Sequence, residues 1–220
     1  MTMLATPPGS ADRLLARARL ETNLAETIAA YDHAATEYAV RYADADLKSQ
    51  RLSFQSALRK DLPILDAGCG AGRDCSLFER DGFSPVGLDL SRGLLRSARL
   101  VTRAPLVLGD IRCLPFGDHS FGGVWCCAVL LHLGMADALR ALKEMHRVLV
   151  RSGRLFVTVR FGQGDEWREE VTSSRRWFHL YSVNEIAGLT EEAGFARLCT
   201  TVEPGVATSG LWVNIHALSQ

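Results

Sequence analysis

The run Ile64-Leu65-Asp66-Ala67-Gly68-Cys69-Gly70-Ala71-Gly72-Arg73-Asp74 constrains the fold more than any other segment, because it joins an apolar strand, an acid at the strand's end and three glycines within five positions. Glycine tolerates positive φ and, lacking Cβ, lets the backbone lie against a ligand, while the following segment can open a helix whose free N–H groups face that ligand. A dinucleotide loop is spaced G-x-G-x-x-G and grips a pyrophosphate. Here the third glycine comes one position early, and Asp66 stands two residues before the first. A carboxylate at that place would repel a pyrophosphate, but it could hold the ammonium of a zwitterion, directly or through water. The spacing therefore points to an adenosyl amino acid and away from a nicotinamide dinucleotide.

Alternating strand and helix signals extend from this loop. They predict strands at 64–67, 84–88, 105–108, 121–127 and 154–160, with helices at 72–81, 91–99 and 135–149. Such alternation means a parallel sheet with right-handed crossovers. A helix at 182–193 and two strands, 195–202 and 211–218, joined through Pro204-Gly205, complete the pattern. Upstream, residues 1–9 contain Pro7, Pro8 and Gly9 and are expected to be disordered, whereas residues 10–61 show apolar residues at helical spacing and no strand signal. Two further acids end strands: Asp89, followed by Leu90, on the second, and Asp110, followed by Ile111, on the third. A carboxylate at the tip of the second strand is well placed to hold a ribose diol.

The eleven residues from Ile64 resemble motif I of the class I, Rossmann-like S-adenosylmethionine-dependent methyltransferases, and other segments resemble the same family. Leu114-Pro115-Phe116-Gly117-Asp118-His119-Ser120-Phe121 is similar to its "LPF-x-D-x-S-F-D" approach to the fourth strand, departing at Gly122. Glu144-Met145-His146-Arg147-Val148-Leu149 is similar to its "E-x-x-R-V-L-x-P-G-G" stretch, with Arg151-Ser152 in place of Pro-Gly and Gly153 as the expected helix stop. Tyr31-Asp32-x-x-Ala35-x-x-Tyr38 resembles a "Y-D-x-x-A-x-x-Y" prefix of its small-molecule members.

The resemblance implies a seven-stranded, mostly parallel α/β sheet with its last strand antiparallel and helices on both faces. It divides the chain into a helical lid over 10–61 and a cofactor-binding core over 62–220. It also implies S-adenosylmethionine as cofactor and S-adenosylhomocysteine as product. The cofactor would be held by Asp66, Gly68, Cys69, Gly70, Gly72, Asp89, Leu90, Asp110, Ile111 and Cys127, with Tyr31 and Tyr38 covering it. Asp110 would bond the adenine amino group.

His132, just past the fourth strand, is the leading candidate for a general base, since imidazole titrates near neutral pH; His179 and Tyr181 are further acid–base candidates. Arg160, Trp167, Arg176 and Trp177 lie in an aromatic and charged stretch suited to binding an acceptor, the arginines through bidentate contacts to a carboxylate or phosphate. The expected reaction is transfer of a methyl group to oxygen or nitrogen of a small organic molecule. The alternatives are a modified nucleotide of transfer RNA as acceptor, or a catalytically silent cofactor-binding scaffold.

Twenty-five basic residues against twenty-five acidic ones give no net charge, which disfavours a nucleic-acid partner. No apolar run approaches a membrane span, and the first ten residues lack a signal pattern, so a cytoplasmic protein is expected. The six cysteines form no C-x-x-C pair and read as reduced thiols, with no metal site. A monomer or a homodimer is expected.

Overall fold

The computed structural model describes residues 10–169 and 174–220, so the expectation of disorder over 1–9 lies outside the described residues. Three helices, α1 (Ser10–His33), α2 (Ala35–Arg41) and α3 (Lys48–Gln55), precede the first strand. Then follow β1 (Ile64–Ala67), α4 (Arg73–Arg80), β2 (Pro85–Asp89), α5 (Arg92–Ala98), β3 (Leu106–Leu108), β4 (Phe121–Cys127), α6 (Met135–Val148) and β5 (Leu149–Arg160). The remainder comprises β6 (Gly164–Arg168), β7 (Arg176–Leu180), α7 (Val183–Glu192), β8 (Phe195–Pro204) and β9 (Leu211–Ser219).

Seven strands form one sheet in the order β3-β2-β1-β4-β5-β9-β8. β1 to β5 run parallel to one another, while β9 is antiparallel to both β5 and β8. The order reverses between β1 and β4, so the crevice beyond their carboxyl ends is the place where such a sheet receives a ligand.

Both faces are covered, which explains the uninterrupted burial of β1 and the near-complete burial of β4. On one face Leu65, Val124, Leu155 and Ile215 meet Ala141, Leu142, Met145 and Ile186 of α6 and α7. On the other Phe54 of α3 and Phe78 of α4 pack on Trp125, whose ring stacks on Phe156 with centroids 4.0 Å apart. Ser182 and Glu185 form a reciprocal capping box that starts α7.

Glu144 and Arg147 tie the approach to β4 onto α6. Arg147 donates to the carbonyls of Leu114 and Phe116 and to Asp118, while Glu144 accepts from the Leu114 N–H. At Gly122 a Cβ would lie 2.9 Å from Leu62 Cβ, so glycine there makes room for the chain entering β1.

Two local features differ from the sequence expectation. The left-handed residue after α6 is Ser152 (φ 62°), not Gly153, and β5 begins at Leu149 because that residue pairs with Phe121. Residues 164–180, which show no period in sequence, contain the two-stranded antiparallel hairpin β6–β7, with Trp167 opposite Trp177. That hairpin packs on α1, where the Trp177 N–H donates to Thr27 Oγ1 at 3.0 Å.

Candidate functional site

The chain leaves β1 through Gly68 (φ 84°), Gly70 (φ 52°) and Gly72 (φ 82°) before α4 begins. A Cβ on Gly70 would find only the side chains of Tyr38 and Leu94, at 3.8 and 4.0 Å, so the loop leaves an open cradle above it. The Gly70 N–H donates to Asp89 Oδ2 and the Ser91 N–H to Asp89 Oδ1, each at 2.8 Å. These bonds fix the Asp89 carboxylate at the tip of β2, while burial raises its pKa against them.

A cavity of about 690 Å³, counting space open to solvent, lies over this tip. Gly68, Gly70, Asp89, Leu90, Asp110 and Ile111 line it from the strand ends and the loops after them, together with Leu24, Ile28, Tyr31, Tyr38, Val129 and His132. These groups suit an adenosyl moiety: a pinned carboxylate for the ribose, the apolar Leu90 and Ile111 for a flat base, and Asp110 as a second carboxylate. Asp110 also accepts from Arg112, whose guanidinium reaches Glu21 of α1 and Asp137 of α6, so one arginine joins the strand end to both helices.

A second, larger cleft of about 1670 Å³, again counting open space, adjoins the first. Tyr31, Tyr38, Gly68, Gly70, Cys127 and Ala128 line both. Cys69, Arg73, Asp74, Thr158, Arg176, Phe178, Glu203, Trp212 and Asn214 line the larger one only.

Asp66 corrects an expectation. It lines neither cavity, being 1% exposed beneath the loop, where Cys75 Sγ donates to it at 3.2 Å. Burial, reinforced by neighbouring Asp74, holds its pKa well above the carboxylate range and favours the neutral acid. Asp74 is the loop carboxylate that does reach the larger cleft, held by Arg73 and by Trp125 Nε1 at 3.0 Å. Gly72 lines neither cavity; a Cβ there would sit 2.9 Å from Ala98 Cβ, so its role is the close packing of the loop on α5.

Tyr31 and Asp32, adjacent in α1, serve different neighbours. Asp32 Oδ1 accepts from Ser91 Oγ at 2.6 Å and from the Gly93 N–H at 2.7 Å, fastening α1 to the start of α5. Asp32→Ala should therefore cost about 1–3 kcal/mol of stability, the usual loss of a charged cap and its bonds, in urea unfolding followed by circular dichroism. Tyr31 and Tyr38 lie on two helices, since α1 and α2 break at Ala34, yet their rings meet edge-on with centroids 5.2 Å apart.

Tyr31 Oη lies 2.9 Å from His132 Nε2 and accepts from Arg176 Nη1 at 2.8 Å, while His132 Nδ1 lies 2.7 Å from the Trp177 carbonyl. A carbonyl can only accept, so Nδ1 carries the imidazole proton. Nε2 then accepts the Tyr31 hydroxyl proton, and the chain runs Arg176 to Tyr31 to His132 to Trp177. Burial, helped by Arg176, lowers the His132 pKa to about 3, which overturns the expectation of titration near neutrality.

The unfolded histidine gains a proton below its ordinary value near 6.5 and the folded one does not, so this stability is complete above that value and is lost as pH falls toward 3. Asp66, raised by burial, biases stability the opposite way, so wild type is compared with His132→Gln. Between pH 7.5 and pH 5 the wild type should lose roughly 2 kcal/mol more than the variant in urea unfolding.

The remaining sequence candidates lie away from both cavities. Tyr181 is buried and donates its hydroxyl to the Leu130 and Leu133 carbonyls, which leaves no proton to exchange with a ligand. His179 Nδ1 meets Asp165 Oδ1 at 2.6 Å across the β6–β7 hairpin. Arg160 is 2% exposed, lies between the rings of Phe178 and Trp212, and donates to the Ser209 carbonyl. Trp167 and Trp177 belong to the opposite side of the hairpin, with Arg19 and Asn23. Of the four proposed acceptor residues, only Arg176 lines the larger cleft.

Residues 65–157 match a family model described as a methyltransferase domain. A protein of Encephalitozoon cuniculi carrying a provisional methyltransferase name is 35% identical over 153 residues, 61% of this chain and 70% of that one. The chain belongs to the class I S-adenosylmethionine-dependent methyltransferases. A malonyl-acyl-carrier-protein O-methyltransferase of Pseudescherichia vulneris is 32% identical over 174 residues, covering 75% of this methyltransferase and 66% of its relative. Among solved structures, the Burkholderia thailandensis 1,6-didemethyltoxoflavin-N1-methyltransferase with bound S-adenosylhomocysteine superposes with a TM-score of 0.69 at 19% identity, over 99% of this chain and 93% of that one.

S-adenosylmethionine is the cofactor. Among the described residues no helix of the methyltransferase is long and apolar enough to cross a membrane. Sequence reading missed Arg73, Thr158, Glu203 and Asn214 as cleft residues. Arg73 and Asp74 directly follow the last loop glycine and were legible; Glu203 and Asn214 meet only through the antiparallel pairing of β8 and β9.

Proposed function

We propose that the methyltransferase acts on oxygen or nitrogen of a small organic acceptor bound in the larger cleft. The observation that carries this reading is the shared wall. Six residues line both cavities, so an acceptor in the cleft and a cofactor at the glycine loop meet across Tyr31, Tyr38, Cys127 and Ala128.

The bound cofactor supplies an activated methyl group on a sulfonium. What remains for the protein is to orient the acceptor and exclude water, an effect that can be worth about 7–11 kcal/mol. Tyr38 and Tyr42, with centroids 4.6 Å apart, and Phe178 provide an aromatic enclosure suited to a flat acceptor.

Tyr31 is the group best placed to orient a protic acceptor. Its proton is committed to His132 and one lone pair to Arg176, so toward a ligand it can only accept. It would thus favour an acceptor presenting O–H or N–H. His132 acts through Tyr31 as a positioning residue: its Nε2 is engaged and it does not line the larger cleft.

The test is methyl transfer from radiolabelled S-adenosylmethionine to a panel of phenols, amines, carboxylates and bulk transfer RNA. Transfer to a protic small molecule is expected, and Tyr31→Phe should lower kcat/KM about tenfold or more while S-adenosylhomocysteine affinity stays unchanged. Transfer to RNA alone would contradict the reading.

A further inference from the structure

The floor of the larger cleft crosses the sheet along paired residues. Cys127 on β4 pairs with Thr158 on β5, and Thr158 pairs with Asn214 on β9; all three line the cleft. Two strand spacings place Asn214 about 10 Å from Cys127, at the end remote from the glycine loop. The aromatic rings of Trp212 and Phe178 also face this space.

At that remote end stands a carboxylate with neutral company. Glu203 accepts from Gln50 Nε2 at 3.0 Å to each oxygen and from Asn214 Nδ2 at 3.3 Å. Gln50 is oriented in turn by His216, whose Nε2 lies 2.7 Å from Gln50 Oε1 and must donate to it. Burial and Arg154 lower the His216 pKa, so that ring stays neutral. Among the described residues no cation pairs with Glu203.

Asn214 adds a second acceptor. It is 3% exposed, its amide nitrogen is turned to Glu203 and Thr201, and its Oδ1 has no hydrogen-bond partner among the described residues. Turning the amide over would set its oxygen against the carboxylate, so the orientation is fixed. A buried acceptor without a donor is costly unless a ligand supplies one. A carboxylate with one lone pair left on Oε1 and an unpartnered amide oxygen together call for a group that donates more than one hydrogen bond and carries positive charge.

We propose that Glu203 and Asn214 form a cation subsite of the acceptor cleft. It would hold the ammonium of an elongated aromatic amine whose other end lies at the methyl-transfer site. This inference rests on the reading of the larger cleft as the acceptor site. It separates the two ends by charge: Arg176, bonded to Tyr31, stands near the cofactor side, where Arg73 is neutralised by Asp74, and the Glu203 carboxylate stands at the far side, so a ligand anionic at the far end is disfavoured.

Calorimetric titration of the S-adenosylhomocysteine complex with tyramine, para-ethylphenol and para-hydroxyphenylpropionate tests it. Tyramine should bind about tenfold or more tightly than the neutral and anionic analogues. Glu203→Gln should abolish that advantage with S-adenosylhomocysteine affinity unchanged, and Glu203→Asp, which keeps the charge, should retain part of it. Equal binding of the three compounds, no binding of tyramine, or an undiminished preference in Glu203→Gln would overturn the subsite. Binding of para-ethylphenol alone would do so while leaving the cleft as an acceptor site. If all three bind as well to the cofactor-free protein as to the complex, and Glu203→Gln changes none of them, both the subsite and the cleft reading fail.

Discussion

Gly68→Ala should reduce S-adenosylhomocysteine affinity more than 100-fold and lower the melting temperature. Two costs coincide at this position. Its φ of 84° is left-handed, where a side chain adds about 1–2 kcal/mol of strain. Its Cβ would lie 2.1 Å from Val129 Cγ2 and 2.9 Å from Cγ1, a distance no contact tolerates. Val129 cannot step aside freely, because it follows Ala128, itself at φ 60°, and both line the cavity over the loop. Relief therefore moves the cavity wall. Adding Val129→Ala removes both methyl groups and should restore part of the melting temperature, though not the backbone strain. Measured by calorimetry and thermal unfolding, a single variant with wild-type affinity would show that the loop does not sit against the ligand.

The second large effect is expected at Asp89. Asp89→Ala should weaken S-adenosylhomocysteine by the value of charged hydrogen bonds, about 1.5–3 kcal/mol, or roughly tenfold to more than a hundredfold. It also leaves the Gly70 and Ser91 N–H groups without their acceptor, loosening the cradle and the start of α5 together. Asp89→Asn keeps the shape but turns an N–H toward one of these donors, so its loss should be intermediate. Competition binding resolves the three proteins. Unchanged affinity in Asp89→Ala would place the ribose elsewhere.

How far the site was legible depends on the reach of each contact. The glycine loop, Asp89 and Asp110 are local signals, because a strand end, a turn and a helix start within a few residues declare themselves in spacing. The parallel sheet also followed, since strands that alternate with helices are joined by right-handed crossovers. Burial was harder. Asp66 looks like a ligand-facing acid in sequence, yet Cys75 and Asp74, brought beneath the loop by the first turn of α4, make it a buried group.

Contacts between distant segments were invisible. Tyr31 and His132 are 101 residues apart, and Gln50 reaches Glu203 across 153, so neither the committed hydroxyl nor the remote carboxylate could be inferred from spacing. The β6–β7 hairpin escaped for a different reason. Its strands mix charge and aromatics on both faces, because one side meets α1 and the other approaches the cleft, so no period of two survives. Arg160 and Arg176 looked alike in sequence. The structure separates them, one between two rings behind the wall and one within it.

The most direct test of the central claim, that the crevice beyond β1 and β2 is an adenosyl site, is calorimetric titration of the purified protein with S-adenosylhomocysteine and, in parallel, NAD. One-site binding of S-adenosylhomocysteine in the micromolar range, lost in Gly68→Ala and weakened in Asp89→Ala, with no heat from NAD, is the predicted result. Binding of NAD in preference, or no binding by a protein whose circular dichroism shows it folded, would contradict the account.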